Sequence, residues 1–178
     1  METIKIFPYN EEYEVLYKKY EALLKSLTGV IAVEFIGSAS AKLAGKREID
    51  ILITTKNIVE CMDHCTTLGF RKGPIESNEG YLRLYDNGII VELHVVLVFS
   101  KKIEKYLKIV QLLHQDEIGK RYEALKWELN GKPVATYKLA KSQFIASLIP
   151  PPSKKRRRRG GSGGRKRTFT RDTRQTLI

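Results

Sequence analysis

The segment FIGSASAKLAGKREIDILI, residues 35–53, contains the most informative motif of this chain. A Gly-Ser pair follows one apolar run, and Glu48 and Asp50 bracket Ile49 inside a second. Alternate residues of a strand face opposite sides of a sheet, so the two carboxylates share one face. That face is either the solvated side of a strand or part of a metal site, and the segment alone leaves both interpretations open.

The net charge of the chain comes almost entirely from its C-terminal end. The 178 residues contain 32 Lys and Arg against 20 Asp and Glu, a formal charge of +12. Residues 151–178 contain 11 of the basic side chains and a single acid, which gives that segment +10. Residues 1–150 keep 21 basic side chains against 19 acids, so the body is close to neutral.

The C-terminal segment PPSKKRRRRGGSGGRKRTFTRDTRQTLI is predicted to be disordered, because it has too few apolar residues to offset its chain entropy. We therefore divide the chain into a folded domain, 1–149, and a basic tail, 150–178. The basic residues within 154–174 favour contact with nucleic acid or another polyanion, nuclear import, or an engineered Gly/Ser-linked extension. The last three residues, 176–178, fit the C-terminal pattern that PDZ domains capture.

Composition disfavours membrane and secreted proteins. No uninterrupted apolar run approaches the roughly 20 residues of a membrane helix, and the acidic N-terminus lacks a signal-peptide design. Cys61 and Cys65 give no disulfide framework, which favours a reducing, cytoplasmic location. A nuclear location is the alternative if the host is eukaryotic and the basic tail is native.

The hydrophobic periodicity predicts a helix, two strands and a second helix in the first half of the chain. Asn10 is expected to cap the first helix and Gly29 to end it. VIAVEFI (30–36) and EIDILIT (48–54) are short and β-branched, which is typical of strands. Asn57 is expected to start the second helix.

The second half predicts a hairpin followed by helices. YLRLY and IIVELHVVLVF flank Asp-Asn-Gly (86–88), a strong two-residue turn signal. From Lys101 onward the apolar residues follow a helical period. Strands followed by helices predict an α+β domain, with helices packed on one side of a small mixed or antiparallel sheet.

The hairpin strand carries a third candidate acid. Glu92 and His94 share a face opposite Leu93, as Glu48 and Asp50 do on their strand. If the two strands are close, three carboxylates converge, and three oxygen ligands suit Mg²⁺, with Mn²⁺ as the alternative. An unpaired carboxylate is costly to bury, so replacing Asp50 by alanine is expected to raise stability in metal-free buffer.

The order of these motifs resembles the polymerase β-like nucleotidyltransferase superfamily, in which apolar-Gly-Ser precedes acid-apolar-acid-apolar and a third acid lies on a later strand. Within it, the chain most resembles the GrpB family over about residues 7–149. The shared segments are IGS…LAGK…IDI, ELHVV, RYEALKWEL and TYKLAKSQFI. Where the family usually reads Gly-Ser-Thr-x-Val-Pro-Gly-Leu-Ala-x-Lys-Pro, this chain has GSASAKLAGKR, which is one residue shorter and lacks the Pro-Gly turn.

The resemblance implies an enzyme that moves a nucleoside monophosphate from a nucleoside triphosphate to an acceptor that the sequence does not identify. The catalytic and metal-ligand roles would fall to Glu48, Asp50 and Glu92. The expected nucleotide contacts are Gly37, Ser38, Lys46, Arg83, His94 and Lys141. The alternative is a nucleotide-binding module without turnover, which the tail anchors to nucleic acid or to a protein partner.

Two further motifs have structural interpretations. Cys61, His64 and Cys65 are spaced like metal ligands, but they lie on an apolar helix stripe, which favours core packing. RYEALKWEL is expected to be an amphipathic packing helix. Its Lys126, and Lys138 further on, are weaker candidates for contact with the triphosphate.

Overall fold

The structure is a computed structural model that describes residues 2–149. These residues span the predicted folded domain. The basic tail, with its expected polyanion and PDZ contacts, lies outside the described residues.

Five strands form one mixed sheet. They are β1 (Val30–Ile36), β2 (Glu48–Thr55), β3 (Arg71–Glu76), β4 (Glu79–Asp86) and β5 (Ile89–Leu97). The order across the sheet is β1-β2-β5-β4-β3. β2 runs parallel to β5, and the other neighbouring pairs are antiparallel. The predicted α+β class with a small mixed sheet is confirmed.

Six helices accompany the sheet among residues 2–149. They are α1 (Glu12–Lys25), α2 (Gly37–Ser40), α3 (Ile58–Thr67), α4 (Lys101–Leu113), α5 (Asp116–Glu128) and α6 (Val134–Leu148). Within this part of the chain, no helix combines the length and the apolar character needed to cross a bilayer.

The predicted helix signals agree with the structure at the N-terminal ends. The side chain of Asn10 accepts a hydrogen bond from the amide of Glu12, and that of Asn57 accepts one from Glu60. α1 ends at Lys25, four residues before Gly29, which was expected to end it. Gly29 has φ +82° and instead leads directly into β1.

Two tight turns join the last three strands. Asn87 and Gly88 have φ of 49° and 77°, the left-handed pair that a two-residue hairpin turn requires. Ser77 and Asn78 form a similar turn between β3 and β4, with φ of 50° and 61°. The sequence did not predict β3, because its Gly and Pro break the strand pattern and all of its residues are exposed.

Helices cover both faces of the sheet. On one face, the alternate isoleucines of β2 join the main core with residues of α1 and α3. On the other face, Ile36, Leu52 and Val96 pack against α4. The expectation of helices on one side only is therefore wrong. Leu52 lies two residues after Asp50 on the same face of the sheet, and this apolar side chain is buried by packing beneath α4.

Candidate functional site

The parallel pairing of β2 with β5 brings the candidate acids together. Asp50 is the register partner of Glu92, and Leu52 is the partner of His94, so these side chains lie on one face. Asp50, Glu92 and His94 each offer a ligand atom, and these atoms lie within 4.8 Å of one another. This is the one such group found among residues 2–149, and Glu48 is not a member of it.

His94 lies between carboxylates on both sides of its ring. Nε2 is 3.5 Å from Asp50 Oδ1 and 3.7 Å from Glu92 Oε1, while Nδ1 is 2.8 Å from Glu79 Oε1. Burial opposes a charge on the ring, but the hydrogen bonds with Asp50 and Glu79 outweigh it and raise the pKa of His94 to about 9. At neutral pH the ring is therefore a cation shared by three acids.

Glu79 is a buried acid that the sequence did not single out. Its side chain is only 3 % exposed, and it accepts hydrogen bonds from His94, from Lys102 Nζ (2.7 Å) and from Tyr106 OH (2.5 Å). Burial would raise the pKa of Glu79, but these hydrogen bonds lower it to about 2. Lys102 and Tyr106 come from α4, more than 20 residues later, so no local pattern marks Glu79.

Glu48 and Glu92 each form an ion pair with a basic side chain as well. Lys46 Nζ lies 2.5 Å from Glu48 Oε1, and Arg83 Nε donates to Glu92 Oε2 at 2.7 Å. Burial and the neighbouring Asp50 charge raise the pKa of Glu48, although Lys46 opposes them. Lys46 and Arg83 were predicted to contact the nucleotide, and in this structure both are bound to the acids.

Gly37 places Asp50 against the start of α2. Its φ is +75°, a conformation that favours glycine, and an added Cβ would collide with Asp50 Oδ2. Only a residue without a side chain therefore lets this carboxylate sit beside the turn that follows β1.

Gly37→Ala and Gly88→Ala form a matched pair of substitutions. Both residues have φ near +75°, so each alanine should cost about 1–2 kcal/mol of backbone strain. At Gly88, however, nothing lies within 4 Å of an added Cβ. We expect Gly88→Ala to lower the free energy of unfolding and to leave Mn²⁺ binding unchanged. Gly37→Ala should lower the free energy of unfolding by a larger amount, and it should also weaken Mn²⁺ binding. Urea unfolding and Mn²⁺ titration measure the two effects, and equal losses at both positions would contradict the packing of Asp50 on Gly37.

A cavity of about 110 Å³ opens beside this cluster. Its lining includes five of the predicted site residues: Gly37, Ser38, Asp50, His94 and Lys141. The other four predicted residues, Lys46, Glu48, Arg83 and Glu92, are not part of its wall. Lys138 is exposed on α6 and does not line it either.

The loop between α2 and β2 is held by two side chains of α5. Glu123 Oε1 accepts from the Ala44 amide at 2.6 Å, and Lys126 Nζ donates to the Ala44 carbonyl at 2.9 Å. Lys126 is only 3 % exposed, and burial together with the charge of Lys141 lowers its pKa to about 7. RYEALKWEL is therefore a packing helix, as expected, that also anchors the loop carrying Lys46.

A larger cavity of about 440 Å³ lies between α1 and the turn of the β4–β5 hairpin. Its walls include Lys19, Arg47 and Asp86, and the first and last of these form an ion pair at 2.6 Å. It lacks the buried, convergent polar groups that are typical of a binding site. Cys61 and Cys65 are fully buried in the main core, in agreement with their structural interpretation.

Two buried groups should make stability depend on pH in opposite directions. The pKa of His94 rises from 6.5 to about 9, so between these values the folded protein holds a proton that the unfolded chain has lost, and stability falls with rising pH. The pKa of Lys126 falls from 10.5 to about 7, so above 7 the unfolded chain holds the extra proton and stability rises. Each group changes the free energy of unfolding by up to about 1.4 kcal/mol per pH unit.

Between pH 7 and 9 these two slopes should nearly cancel in the unmodified protein. His94→Gln should leave a stability that rises with pH, and Lys126→Met one that falls. Urea unfolding in metal-free buffer at several pH values measures the slopes, with His114→Gln, at an exposed position, as the control that keeps the flat profile. Slopes of the same sign in both variants would contradict the two assignments.

Comparisons with known proteins bear on the fold. The family model described as GrpB protein matches residues 3–150. The crystal structure of conserved protein GrpB from Enterococcus faecalis is similar with a TM-score of 0.65 and 20% identity, over 80% of this chain and 98% of that chain. A crystal structure of the Cid1 poly(U) polymerase has a TM-score of 0.47 and 13% identity, over 67% of this chain and 41% of that chain. No curated protein matches the sequence.

Proposed function

The chain belongs to the GrpB family, and on that premise we propose that it is a metal-dependent nucleotidyltransferase. It would transfer a nucleoside monophosphate from a nucleoside triphosphate to an acceptor hydroxyl. The observation that carries the proposal is the register of Asp50 with Glu92, which sets two carboxylates and His94 on one sheet face beside Gly37 and Ser38.

The carboxylates of this cluster are the ligand type that Mg²⁺ and Mn²⁺ take. An octahedral ion with ligands at about 2.0–2.2 Å places neighbouring ligand atoms about 2.8–3.1 Å apart. The distances of 3.5 and 3.7 Å from His94 Nε2 to the two carboxylates are longer than that, and the ring would have to lose its proton before it could become a ligand. Asp50 and Glu92 would hold Mg²⁺ or Mn²⁺, with Glu48 as the third acid, and an imidazole neighbour suits Mn²⁺ better than Mg²⁺.

The side chains around the cluster would have separate roles in the proposed transfer. A bound metal would polarise the attacked phosphate and offset charge on the leaving pyrophosphate. The Gly37 backbone and the Ser38 hydroxyl would hold the phosphates, and Lys141 would add a positive charge at the cavity. Glu92 would accept the proton of the acceptor hydroxyl.

Lys46 and Arg83 would change partners on binding. The side chain of Arg83 is 60 % exposed and that of Lys46 is 32 % exposed, so each can swing from its acid to a phosphate without crossing a packed core. Metal on the acids and phosphate on the two cations would therefore replace the ion pairs of the free protein.

Product analysis tests the proposal. The full chain is incubated with each of the four nucleoside triphosphates, Mg²⁺ or Mn²⁺, and a small-molecule cell extract. We expect pyrophosphate and a product that is heavier by one nucleoside monophosphate, and loss of both with Asp50→Asn. Metal-dependent nucleotide binding without either product, for all four nucleotides and both metals, would contradict the proposal.

One observation favours the alternative of a nucleotide-binding module without turnover. Basic side chains of the protein already neutralise the acids, so the site does not need a permanently bound metal to balance their charge. In that case the basic residues of 154–174 would supply the anchoring to a polyanion. Nucleotide binding that persists without metal and without products would support this module.

A further inference from the structure

We propose that the open part of the sheet face beside the acids binds the acceptor of the transfer, and that this acceptor is the 3′ end of a single-stranded nucleic acid. The surface consists of Arg71 on β3 with Arg83 and Tyr85 on β4, and we call it the β4 platform. The inference rests on the proposed function, since it names the class of acceptor for that site.

The register of the sheet aligns the β4 platform with the acids. Arg83 is the register partner of Glu92, which in turn pairs with Asp50. On the other side of β4, Arg71 is the partner of Arg83. Register partners have their side chains on one face, and neighbouring strands are about 4.8 Å apart. The four side chains therefore form one row across the sheet, in which the backbone of Arg71 lies about 10 Å from that of Glu92.

Tyr85 lies on the same face as Arg83, two residues further along β4. Its register partner is Ile90, two residues before Glu92 on β5. Diagonal neighbours of this kind are about 7–8 Å apart, a separation that one nucleoside can bridge. Tyr85 is 73 % exposed, and within residues 2–149 its ring packs against no other aromatic ring. The ring is therefore free to stack on a ligand.

No helix covers this end of β4 on the site face. On the opposite face, Leu82 packs in the main core with residues of α3. On the site face, two side chains of α4 reach Glu79, the first residue of β4. Arg83 and Tyr85 lie further along the strand, and both are exposed. An open surface suits a chain that continues past the site, because small ligands are typically bound in clefts that bury most of their surface.

The direction of the transfer places the acceptor on this side of the acids. In a phosphoryl transfer the attacking and leaving oxygens lie roughly in line, on opposite sides of the phosphorus. The proposed function assigns the leaving phosphates to Gly37 and Ser38, which directly follow β1. β1 and β4 lie on opposite sides of the β2–β5 pair. The attacking hydroxyl therefore comes from the β4 side, where Glu92 can accept its proton.

The side chains of the β4 platform match an unpaired strand end. Every base has a π-face that can stack on an aromatic ring such as that of Tyr85, whatever the sequence. Arg71 is exposed and offers its guanidinium to a phosphate, and Arg83 takes a second phosphate when Glu92 binds metal. The +10 charge of residues 151–178 adds attraction for polyanions that is independent of sequence.

The transfer that follows is balanced. The oxygen of the terminal 3′-hydroxyl forms a bond with the α-phosphorus of the nucleoside triphosphate, and the bond from that phosphorus to the bridging oxygen breaks. Pyrophosphate leaves with the electron pair, and the hydroxyl proton passes to the carboxylate of Glu92. The products are pyrophosphate and a strand that is longer by one nucleotide.

Binding of the dinucleoside monophosphate ApA tests the β4 platform. ApA has two bases and a free 3′-hydroxyl but only one phosphate, so the basic tail has little charge to attract. The full chain is titrated in buffer with chelator and without nucleoside triphosphate, and amide NMR follows the platform and the tail separately. We expect a Kd on the order of 1 mM, with resonance shifts at Arg71 and Tyr85.

Matched variants separate stacking and charge from general effects. Tyr85→Ala should weaken ApA binding at least about fivefold, the smallest effect expected for one lost stack, and Tyr85→Phe should retain binding. Phe99→Ala removes an even more exposed ring away from the platform and should leave binding unchanged. Arg71→Gln should weaken binding about two- to fivefold. Lys72→Gln removes a charge from the opposite face of the same strand and should have no effect.

Three results would overturn the assignment: resonance shifts confined to the tail, equal losses in Tyr85→Ala and Phe99→Ala, or binding of tripolyphosphate to the platform as tightly as ApA. Because the assay contains neither metal nor triphosphate, ApA binding without a lengthened product supports the platform and counts against the transfer alone. Conversely, lengthening of ApA with the same KM in Tyr85→Ala as in the unmodified protein supports the transfer and refutes the platform.

Discussion

Asp50→Asn is expected to lower the affinity for a non-hydrolysable nucleoside triphosphate, measured with Mg²⁺ or Mn²⁺, at least about 100-fold. Burial opposes ionisation of Asp50, but His94 and the nearby lysines lower its pKa to about 2, so the carboxylate is charged at neutral pH. Loss of a supporting contact around a metal ligand typically costs 10–100-fold, and loss of the ligand itself should cost more. Isothermal titration calorimetry measures the change.

The control for Asp50→Asn is Asp116→Asn, the same change at an exposed position at the start of α5. It should leave nucleotide affinity as it is. Unchanged affinity in Asp50→Asn would contradict the metal site and, with it, the proposed transfer.

The pairing of Asp50 also corrects an expectation about stability. Replacing an unpaired Asp50 by alanine would stabilise the metal-free protein, but the structure pairs this carboxylate with His94. Its pKa falls from 3.8 to about 2, which contributes about 2 kcal/mol that is present above pH 3.8 and lost as the pH falls towards 2. Asp50→Asn should therefore destabilise the metal-free protein at neutral pH.

Glu79→Ala is expected to lower the free energy of unfolding by about 3–5 kcal/mol, because it leaves the donors of His94, Lys102 and Tyr106 without their shared buried acceptor. It should also weaken Mn²⁺ binding about 10–100-fold, since the ring of His94 loses the contact that orients it. Urea unfolding and Mn²⁺ titration give the two values.

Glu76→Ala is the matched control for Glu79→Ala. Glu76 lies three residues earlier on β3 and is exposed, so its removal should change stability by less than about 0.5 kcal/mol. Glu79→Gln, which keeps an acceptor oxygen, should fall between the two alanine variants. A loss in Glu79→Ala no larger than in Glu76→Ala would show that the buried network contributes nothing.

The hairpin shows how far the sequence could determine the site. Once a two-residue turn at 87–88 is recognised, counting back along both strands pairs Arg83 with Glu92. The cation beside this acid was therefore predictable from the turn alone. Alternation within a single strand shows which side chains share a face, but it does not show which residues lie opposite each other, so it does not pair Arg83 with Glu92.

Other parts of the site depend on contacts that no local pattern reveals. The alternation in β2 predicts that Glu48 and Asp50 share a face, but not that β5 is the parallel neighbour of β2. The resemblance to a family implied only that a third acid lies on a later strand, and the structure supplies the pairing. The burial of Glu79 depends on the arrival of α4, and the cover on the second sheet face depends on Leu52 and Val96 meeting that helix.

The ion pairs of the site restrict which single substitutions relatives of this chain can accumulate. Four acids meet four cations in the pairs Glu48–Lys46, Asp50–His94, Glu92–Arg83 and Glu79–Lys102. Losing one member of a pair leaves the charge of the other without compensation, whereas losing both members keeps the balance. Relatives that have lost the proposed nucleotidyl transfer should therefore lack both the acid and its basic partner. A relative that keeps only one member of a pair should have lost the activity recently.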